Sequence, residues 1–204
     1  MTGRFITIEG IEGVGKSTNV DFVAEHFRVL GETVQVTREP GGTPMAERIR
    51  DLILSANRDE LSDLGELVLM FAARAEHLES LIKPALERGE TVICDRFTDA
   101  TFAYQGGGRG LDPAIIDNLR LAVQGALQPN LTVLLDAPIE VSAERIAGRA
   151  WQDRFEQEQA EFFGRVRAVY LEIAAREPER VKLIDASQPL NTVQAAIKAE
   201  LDRI

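Results

Sequence analysis

Short runs of consecutive apolar residues are spaced along the chain, and stretches of mixed polarity separate them. Five of these runs are rich in Val, Ile, Leu and Thr, and they span Phe5–Ile8, Thr33–Thr37, Thr91–Cys94, Leu131–Leu135 and Val181–Ile184. Brief, nearly continuous apolarity is typical of strands that are buried on both faces, as the strands of parallel sheets are. The pattern therefore predicts five buried strands.

Between the predicted strands, apolar residues recur at the three- and four-residue intervals of amphipathic helices. Gly31 and Gly89 follow two of these stretches, and glycine commonly ends a helix at such a position. Strands that alternate with helices favour an α/β fold with a parallel sheet, here five-stranded, and helices on both of its faces. The predicted helices span Ser17–Leu30, Ala46–Leu54, Ser62–Arg88, Pro113–Leu127, Ile139–Ala147, Gln157–Arg176 and Leu190–Leu201.

Length and composition are those of one ordinary globular domain. The 204 residues suffice for a sizeable core, and no repeat or linker divides them, so we expect a single domain over residues 1–204. The net charge of −10 argues against general binding to nucleic acid, whose phosphates must be neutralised by Lys and Arg. We find neither a long apolar span nor a signal-peptide pattern, so we expect no membrane association and a cytoplasmic location.

The most specific chemical signal follows the first predicted strand. Residues Gly10–Ser17 fit the phosphate-binding pattern G-x-x-x-x-G-K-[ST] and lie between a strand and a helix, as that motif requires. Backbone N–H groups of the loop surround phosphate oxygens, Lys16 can reach the β- and γ-phosphates, and the Ser17 hydroxyl can hold Mg²⁺. The residues predicted to bind the nucleoside triphosphate are Gly10, Ile11, Glu12, Gly13, Val14, Gly15, Lys16, Ser17 and Thr18.

Two acids follow predicted strands. Asp95 and Glu9 end the third and the first strand, where parallel strands present their carboxyl ends to a ligand. Together with Ser17 they are the candidate Mg²⁺ ligands. The alternative is that each carboxylate simply pairs with a neighbouring cation.

Arginines stand at several predicted element ends. Arg38, Arg96 and Arg109 follow a strand, an acid and a triple glycine, while Arg74 lies in the long helix. Because the guanidinium group grips phosphate bidentately, these positions suggest a second anion site, although surface salt bridges are the commoner role of arginine. Two phosphate sites indicate phosphoryl transfer between nucleotides.

Several segments together resemble the thymidylate kinase family. They are Glu9–Ser17, Thr37–Thr43, Phe71–Arg74, Asp95–Phe97 and Ala103–Gly110, and the resemblance covers essentially the whole chain. The phosphate loop is shared by very many proteins. The segments Arg-Glu-Pro-Gly-Gly-Thr and Tyr-Gln-Gly-Gly-Gly-Arg are far more specific, so their occurrence in this order carries the resemblance.

The resemblance implies the P-loop nucleoside-monophosphate kinase fold, usually as a homodimer. It implies Mg²⁺-dependent transfer of a phosphoryl group from ATP to dTMP, giving ADP and dTDP for dTTP synthesis. Lys16 and Arg96 would be catalytic. Since Val14 stands where some members carry a loop arginine, the chain resembles the bacterial class, in which a lid around residues 148–155 supplies the catalytic cation. Arg154 is favoured over Arg149, and the alternative is an ordinary charged helix connection.

The resemblance also implies an acceptor site. Arg38 and Arg96 would hold the dTMP phosphate, and Arg74 would donate to the thymine carbonyl edge. Family members commonly carry a phenylalanine four residues before that arginine, but here Met70 stands there and Phe71 follows, so stacking or core packing stays open for both. The implied dTMP-binding residues are Glu9, Arg38, Pro40, Met70, Phe71, Arg74, Arg96, Thr101, Tyr104 and Gln105, with Thr101 and Gln105 near the base and Tyr104 near the sugar.

Other functions remain as alternatives. A different nucleoside-monophosphate kinase would share the phosphate loop and the arginines. A nucleotide-dependent switch or ATPase is less well supported, because the sequence contains neither Asn-Lys-x-Asp nor Asp-x-x-Gly. His26 and His77 lack metal-ligand spacing, so packed or solvated histidines are expected at both positions.

Overall fold

A parallel sheet forms the centre of the protein. A computed structural model describes residues 3–57, 60–147, 155 and 158–204. The described strands lie in the order β2-β3-β1-β4-β5, and every neighbouring pair is parallel. The predicted five-stranded parallel sheet is confirmed. Its strands are β1 (Phe5–Glu9), β2 (Val34–Arg38), β3 (Thr91–Asp95), β4 (Leu131–Asp136) and β5 (Val181–Asp185).

The strand order creates a crevice at one edge of the sheet. From β1 the chain passes to β2, which lies on the β3 side of β1. From β3 it passes to β4, which lies on the opposite side of β1. In such sheets, ligands bind between two neighbouring strands whose following connections run in opposite directions. The binding crevice lies outside the carboxyl ends of these strands. Glu9 and Asp95 end the two strands that flank this point, so the crevice lies between the phosphate loop and β3.

Helices cover the sheet, and all but one of the described α-helices overlap a predicted helix. No helix within the described ranges is both long and apolar enough to cross a membrane. The helices are α1 (Lys16–Val29), α2 (Pro44–Ser55), α3 (Asp63–His77), α4 (Lys83–Glu87), α5 (Thr98–Thr101), α6 (Pro113–Gln124), α7 (Ile139–Ala147), α8 (Ala160–Arg176) and α9 (Leu190–Leu201), with π-helical segments at Leu78–Ile82 and Phe102–Gly108.

Alternate side chains of the central strands join different parts of the core. Ile6 and Ile8 belong to the large cluster that also contains Phe27 of α1. Phe5 and Val92 belong to a second cluster, together with Leu78, Ile82 and Leu86. Because successive side chains of a strand point to opposite faces, the sheet is buried on both sides, as its apolar runs predicted.

The prediction of one regular helix over Ser62–Arg88 was wrong in its centre. The segment Leu78–Ile82 is π-helical and separates α3 from α4. Pro84 follows in the first turn of α4. Proline has no N–H to donate to the carbonyl four residues earlier and its ring crowds that carbonyl, so the regular hydrogen-bond pattern cannot continue through this position.

A helical stretch over Thr98–Gly108 has no counterpart among the predicted helices. Its second part contains Gly106, Gly107 and Gly108, which are poor helix formers. Helix α8 packs closely here, because a Cβ on Gly108 would lie 2.4 Å from the Phe162 ring and one on Gly107 would lie 2.9 Å from the Arg165 carbonyl oxygen. Tertiary packing against α8 therefore overrides the local preference.

Candidate active site

The phosphate loop makes a tight turn between β1 and α1. Gly10 and Gly13 have φ values of 134° and 79°, which side chains disfavour. A Cβ on Gly10 would lie 2.3 Å from the Leu135 carbonyl oxygen, so the turn also needs the close approach that glycine permits. Helix α1 then begins at Lys16 with no side-chain cap among the described residues. Its N-terminal N–H groups are suited to bind an anion.

Lys16 folds back over the loop. Its ammonium Nζ donates to the carbonyl oxygens of Gly10 at 3.2 Å and Ile11 at 2.8 Å. Burial, followed by the nearby charge of Arg96, lowers the pKa of Lys16 from 10.5 to about 8. A phosphate placed beside the ammonium would stabilise its charged form and reverse this shift.

Ser17 and Asp95 line one cavity beside the loop. Asp21 and Arg38 also line this cavity, which we call the Ser17 cavity. The Asp95 Oδ1 atom is buried and has no hydrogen-bond partner in the described part of the chain. A buried carboxylate oxygen without a donor is suited to a cation, and Mg²⁺ commonly binds one or two carboxylates together with phosphates. Among the described residues, His, Cys, Asp and Glu form no group of three or more that would hold a metal alone.

Both carboxylate oxygens of Glu9 accept hydrogen bonds from described residues. Its Oε1 accepts from the Phe97 backbone N–H at 2.6 Å, and its Oε2 accepts from the Tyr170 hydroxyl at 2.7 Å. Burial, followed by the negative charge of Asp99, raises the pKa of Glu9 to about 8. These contacts make Glu9 a support for the chain segment after β3. Its predicted roles toward Mg²⁺ and dTMP stay predictions.

Arg96 connects the phosphate loop with the next cavity. Its Nη1 donates to the Gly10 carbonyl oxygen at 2.8 Å, and its Nη2 pairs with Glu12 at 2.7 Å. The guanidinium carbon lies 4.7 Å from the centre of the Tyr104 ring. Arg96 has φ 71°, and left-handed backbone at a non-glycine residue costs about 1–3 kcal/mol. Such strain is concentrated at functional sites, where it holds a side chain in place.

A second cavity lies on the other side of Arg96. Three buried or partly buried arginines contribute to its wall, Arg50, Arg74 and Arg96, and we call it the Arg74–Arg96 cavity after the two that connect it with the loop and the buried network. Aromatic, aliphatic and polar side chains complete the lining. The lining residues are Glu12, Glu39, Pro40, Arg50, Leu54, Met70, Arg74, Arg96, Phe97, Ala100, Thr101, Tyr104, Gln105 and Phe155.

Arg74 is buried at the back of this cavity. Its Nε donates to Glu39 Oε2 at 2.7 Å, and its Nη2 donates to Thr101 Oγ1 at 2.9 Å. The Phe71 and Phe97 rings lie 4.9 and 5.0 Å from its guanidinium carbon. The remaining nitrogen, Nη1, is buried and lacks a hydrogen-bond partner among the described residues. Because leaving a buried donor unpaired is costly, Nη1 is suited to a ligand acceptor.

Met70 and Phe71 occupy different surroundings. Met70 is half-buried and lines the Arg74–Arg96 cavity. Phe71 is buried in a small core cluster with Leu67 and Ile116. The geometry therefore favours Met70 for contact with a ligand and Phe71 for packing beside Arg74.

Comparison with known proteins identifies the family. The family model described as thymidylate kinase matches residues 8–197. The chain belongs to the thymidylate kinase family. The thymidylate kinase of Pseudomonas syringae pv. syringae (strain B728a) is 54% identical over 204 residues, covering 100% of this chain and 97% of the relative. That of Pseudomonas fluorescens (strain SBW25) is 56% identical over 201 residues, covering 98% and 96%.

A solved structure confirms the fold class. The crystal structure of thymidylate kinase from Ehrlichia chaffeensis is 35% identical, covers 99% of both chains and has a TM-score of 0.81. The P-loop nucleoside-monophosphate kinase fold and the family resemblance, both predicted from the motifs, are confirmed.

The structure brings most of the predicted dTMP residues of this thymidylate kinase family member together. Pro40, Met70, Arg74, Arg96, Thr101, Tyr104 and Gln105 line the Arg74–Arg96 cavity. Arg38 instead lines the neighbouring Ser17 cavity, where Glu47 pairs with it at 3.0 Å. Its register partner in β3 is Asp95. Arg38 is thus beside the candidate Mg²⁺ ligands, and its contact with the dTMP phosphate stays a prediction.

Arg109 forms salt bridges with acidic side chains of the protein. It pairs with Glu66 at 3.1 Å and also with Glu158, and its side chain is buried. Arg109 is thus in a salt bridge, but the pair is buried, whereas the alternative given for the arginines was a pair on the surface. We infer that Arg109 fastens α3 to the segment before α8.

The two candidate lid arginines, Arg149 and Arg154, lie outside the described residues. The nearest described residue is Phe155, which lines the Arg74–Arg96 cavity. Glu158 follows and binds Arg109. The lid prediction therefore stays a prediction.

Sequence reasoning missed several cavity residues. Glu39 and Phe97 stand inside the motifs that carry the family resemblance, directly after Arg38 and Arg96. Their position next to two predicted site residues could have indicated that they line the cavity. Glu12 was assigned to the triphosphate loop, but its carboxylate accepts from the Tyr104 hydroxyl at 2.6 Å and lines the second cavity. Arg50 and Leu54 belong to α2 and carried no motif.

Proposed function

We propose that this site transfers the γ-phosphoryl group of ATP to dTMP, giving ADP and dTDP. The observation that carries the proposal is that Arg96 contacts both the phosphate loop, through Gly10, and the cavity whose wall holds the unpaired Arg74 Nη1. In this proposal the donor phosphate site and the acceptor site meet at Arg96. This is the arrangement that direct transfer between two nucleotides needs.

The reaction requires positioning and charge neutralisation more than covalent chemistry. An oxygen of the dTMP phosphate attacks the γ-phosphorus, the bond from that phosphorus to the β–γ bridging oxygen breaks, and ADP leaves. Residues Gly10–Thr18 would hold the ATP phosphates, and Lys16 would neutralise charge as it shifts toward the leaving group. Arg96 would exchange Glu12 for the dTMP phosphate, since a guanidinium group binds phosphate bidentately.

Base and sugar recognition would come from the remaining wall of the Arg74–Arg96 cavity. Arg74 Nη1 would donate to a thymine carbonyl, with Thr101 and Gln105 nearby. Met70 would cover the base, and Tyr104 would lie at the sugar. The matched donor and acceptor groups would select thymine over a base that presents an amino group at the same place.

The residues of the Ser17 cavity fit Mg²⁺. Ser17 Oγ and Asp95 would hold it, and the observation that supports this assignment is that Asp95 Oδ1 has no hydrogen-bond partner among the described residues. When bound, Mg²⁺ would neutralise negative charge on the ATP phosphate oxygens. Glu9 is the further candidate ligand from the sequence.

The proposed lid extends over residues 148–155 of a single domain that spans residues 1–204. Arg154, or else Arg149, would supply a cation to the transferring group, because Val14 gives the loop no arginine. Comparing Arg154→Ala with Arg149→Ala in single-turnover experiments decides between them. The catalytic residue should reduce the transfer step, whereas the other should leave that step nearly unchanged.

A screen of all nucleoside monophosphates with ATP and Mg²⁺ tests the function. We expect ADP formation to be fastest with dTMP. Turnover with another monophosphate and none with dTMP would favour the alternative of a different nucleotide kinase. ATP hydrolysis that does not depend on any monophosphate would favour the ATPase alternative. Because its substrates are free nucleotides of dTTP synthesis, we propose a cytoplasmic location.

Binding of ATP is expected to take up protons from the buffer at a pH near 8. Lys16 has a pKa of about 8 in the free site, and adjacent phosphate charges raise it. The fraction of Lys16 that is neutral before binding therefore gains a proton when ATP binds. As the pH rises above the pKa of about 8, this fraction grows and the affinity for ATP falls. Calorimetry in buffers of different ionisation enthalpy counts the protons. Lys16→Arg, which stays charged, is the control, and equal uptake by both proteins would contradict the assignment.

We also propose that the chain forms a homodimer through α3 and α6, which pack against each other. Leu64 and Val68 lie one turn apart on α3 and are about half exposed, as are Ile115 and Leu121 on α6. Adjacent exposed apolar side chains commonly mark a protein interface, and closed twofold dimers are the commonest oligomers.

The double variant Leu64→Glu with Val68→Glu is expected to convert the dimer to a monomer, because it places charges inside the proposed interface. Sedimentation velocity measures the change. Leu190→Glu, at an equally exposed apolar residue of α9, is the matched control and should remain dimeric. A monomeric parent protein, or a double variant that stays dimeric, would refute this interface.

A further inference from the structure

A series of buried polar contacts lies behind the Arg74–Arg96 cavity and ends at His77. Arg74 Nε donates to Glu39 Oε2 at 2.7 Å, and the other carboxylate oxygen lies 3.0 Å from His77 Nδ1. On its far side, the His77 ring lies 2.7 Å from the hydroxyl oxygen of Thr37 through Nε2. All four side chains are buried, and His77 is fully so. We call this series the Thr37–Arg74 network.

The carboxylate of Glu39 places a hydrogen on His77 Nδ1, and the role of Nε2 follows from the charge of the ring. An ionised Glu39 only accepts hydrogen bonds, so His77 Nδ1 carries a hydrogen and donates it. The ring nitrogen Nε2 of a neutral His77 then accepts from the Thr37 hydroxyl. With His77 neutral, the buried network contains the positive charge of Arg74 and the negative charge of Glu39, which balance.

The network is attached to the backbone of β3 and to one face of α3. The Glu39 N–H donates to the Asp95 carbonyl oxygen of β3 at 2.9 Å. Arg74 and His77 are three residues apart on α3, so they share a face of that helix. Gly42 covers the ring, because a Cβ there would lie 2.5 Å from His77 Nε2 and 2.4 Å from the hydroxyl oxygen of Thr37. His77 thus occupies a closely packed position and is well placed to orient Glu39.

We propose that His77 is a positioning residue for recognition of the pyrimidine base. It holds Oε1 of Glu39, so that Oε2 faces Arg74 Nε, while Thr101 accepts from Nη2. Two hydrogen bonds fix the plane of the guanidinium group and therefore the direction of Nη1, which has no partner in the described part of the chain. The inference rests on the proposed function, in which Nη1 donates to a thymine carbonyl.

Two substitutions of His77 separate positioning from packing. His77→Leu keeps apolar volume but removes both ring nitrogens, whereas His77→Asn restores an N–H donor toward Glu39. We expect His77→Leu to raise KM for dTMP about tenfold, since a misaligned charged hydrogen bond is weakened, with kcat and KM for ATP within about twofold of the parent. The preference for dTMP over dCMP should fall by a similar factor. His77→Asn should recover most of both losses.

Thermal unfolding of each variant controls for the fold. If His77→Leu fails to fold, Thr37→Val carries the test, because it removes only the hydroxyl that lies 2.7 Å from Nε2, and a smaller rise in KM for dTMP is then expected. A folded variant with parental KM for dTMP and parental discrimination overturns the proposal, as does an equal rise in KM for ATP. Failure of the parent enzyme to phosphorylate dTMP would instead refute the proposed function, so the two failures are distinguishable.

Discussion

Replacing Lys16 with alanine is expected to reduce kcat by about 10²- to 10³-fold, the usual cost of losing one preorganised group that stabilises transition-state charge. The ammonium of Lys16 lies against the loop carbonyls of Gly10 and Ile11, beside the proposed position of the phosphates. Its partial burial makes the charge more effective than the same charge in water. The effect should therefore fall on the transfer step, and single-turnover measurement of dTDP formation at saturating ATP and dTMP isolates that step.

Two controls accompany the Lys16 experiment. Lys198→Ala removes an exposed lysine of α9 that pairs with Asp202, and it should leave kcat unchanged. Lys16→Met retains much of the aliphatic stem, so it separates loss of charge from loss of packing. Near-parental turnover in Lys16→Ala, or an equal loss in Lys198→Ala, would contradict the role assigned to the loop lysine.

The strands were predictable because a strand that is buried on both faces consists of a short, nearly continuous run of apolar residues. The observed strands nevertheless run one residue further than predicted, into a charged residue at each carboxyl end: Glu9, Arg38, Asp95, Asp136 and Asp185. Backbone pairing in a sheet does not depend on side-chain polarity, so the ladder continues where hydrophobicity stops. These added positions include several of the candidate site residues.

The two π-helical segments were not predictable from periodicity. One accompanies Pro84, whose missing N–H breaks a helix that the apolar pattern would have continued. The other contains Gly106–Gly108 and owes its form to close packing against α8. Both departures arise from constraints that act across the structure or on single hydrogen bonds. A prediction from local hydrophobic periodicity and helix preference detects neither kind of constraint.

The motifs identified individual residues of the candidate site, but not the contacts that these residues make with one another. Arg74 and Arg96 were recognisable, but the carboxylate of Glu39 that orients Arg74 was not assigned a role. His77 was expected to be a packed or solvated histidine, and it is buried with two hydrogen-bonding contacts. Such contacts join residues far apart in sequence, so their pairing becomes visible only once β2, α3 and β3 are brought together.

Replacing Arg74 with lysine is expected to weaken dTMP binding by about 1.5–3 kcal/mol, which is roughly 10- to 150-fold in Kd. A lysine ammonium can keep a charge near Glu39, but it lacks the planar fork that serves Glu39, Thr101 and a base carbonyl at once. The loss should be specific to a base with a carbonyl at that edge. The preference for dTMP over dCMP should therefore shrink, while binding of ATP stays unchanged.

Arg74→Ala should lose stability as well as affinity, which makes the lysine variant the more decisive one. Removing the guanidinium leaves the buried carboxylate of Glu39 without its ion-pair partner, and breaking a buried pair in this way costs about 3–5 kcal/mol. Thermal unfolding should rank parent, Arg74→Lys and Arg74→Ala in falling order, and Arg28→Lys, at an exposed residue of α1, is the control for general effects of the exchange. If Arg74→Lys folds and still prefers dTMP over dCMP as strongly as the parent, Arg74 does not read the base. The unpaired Nη1 would then require another acceptor, such as the sugar or the phosphate of the bound nucleotide.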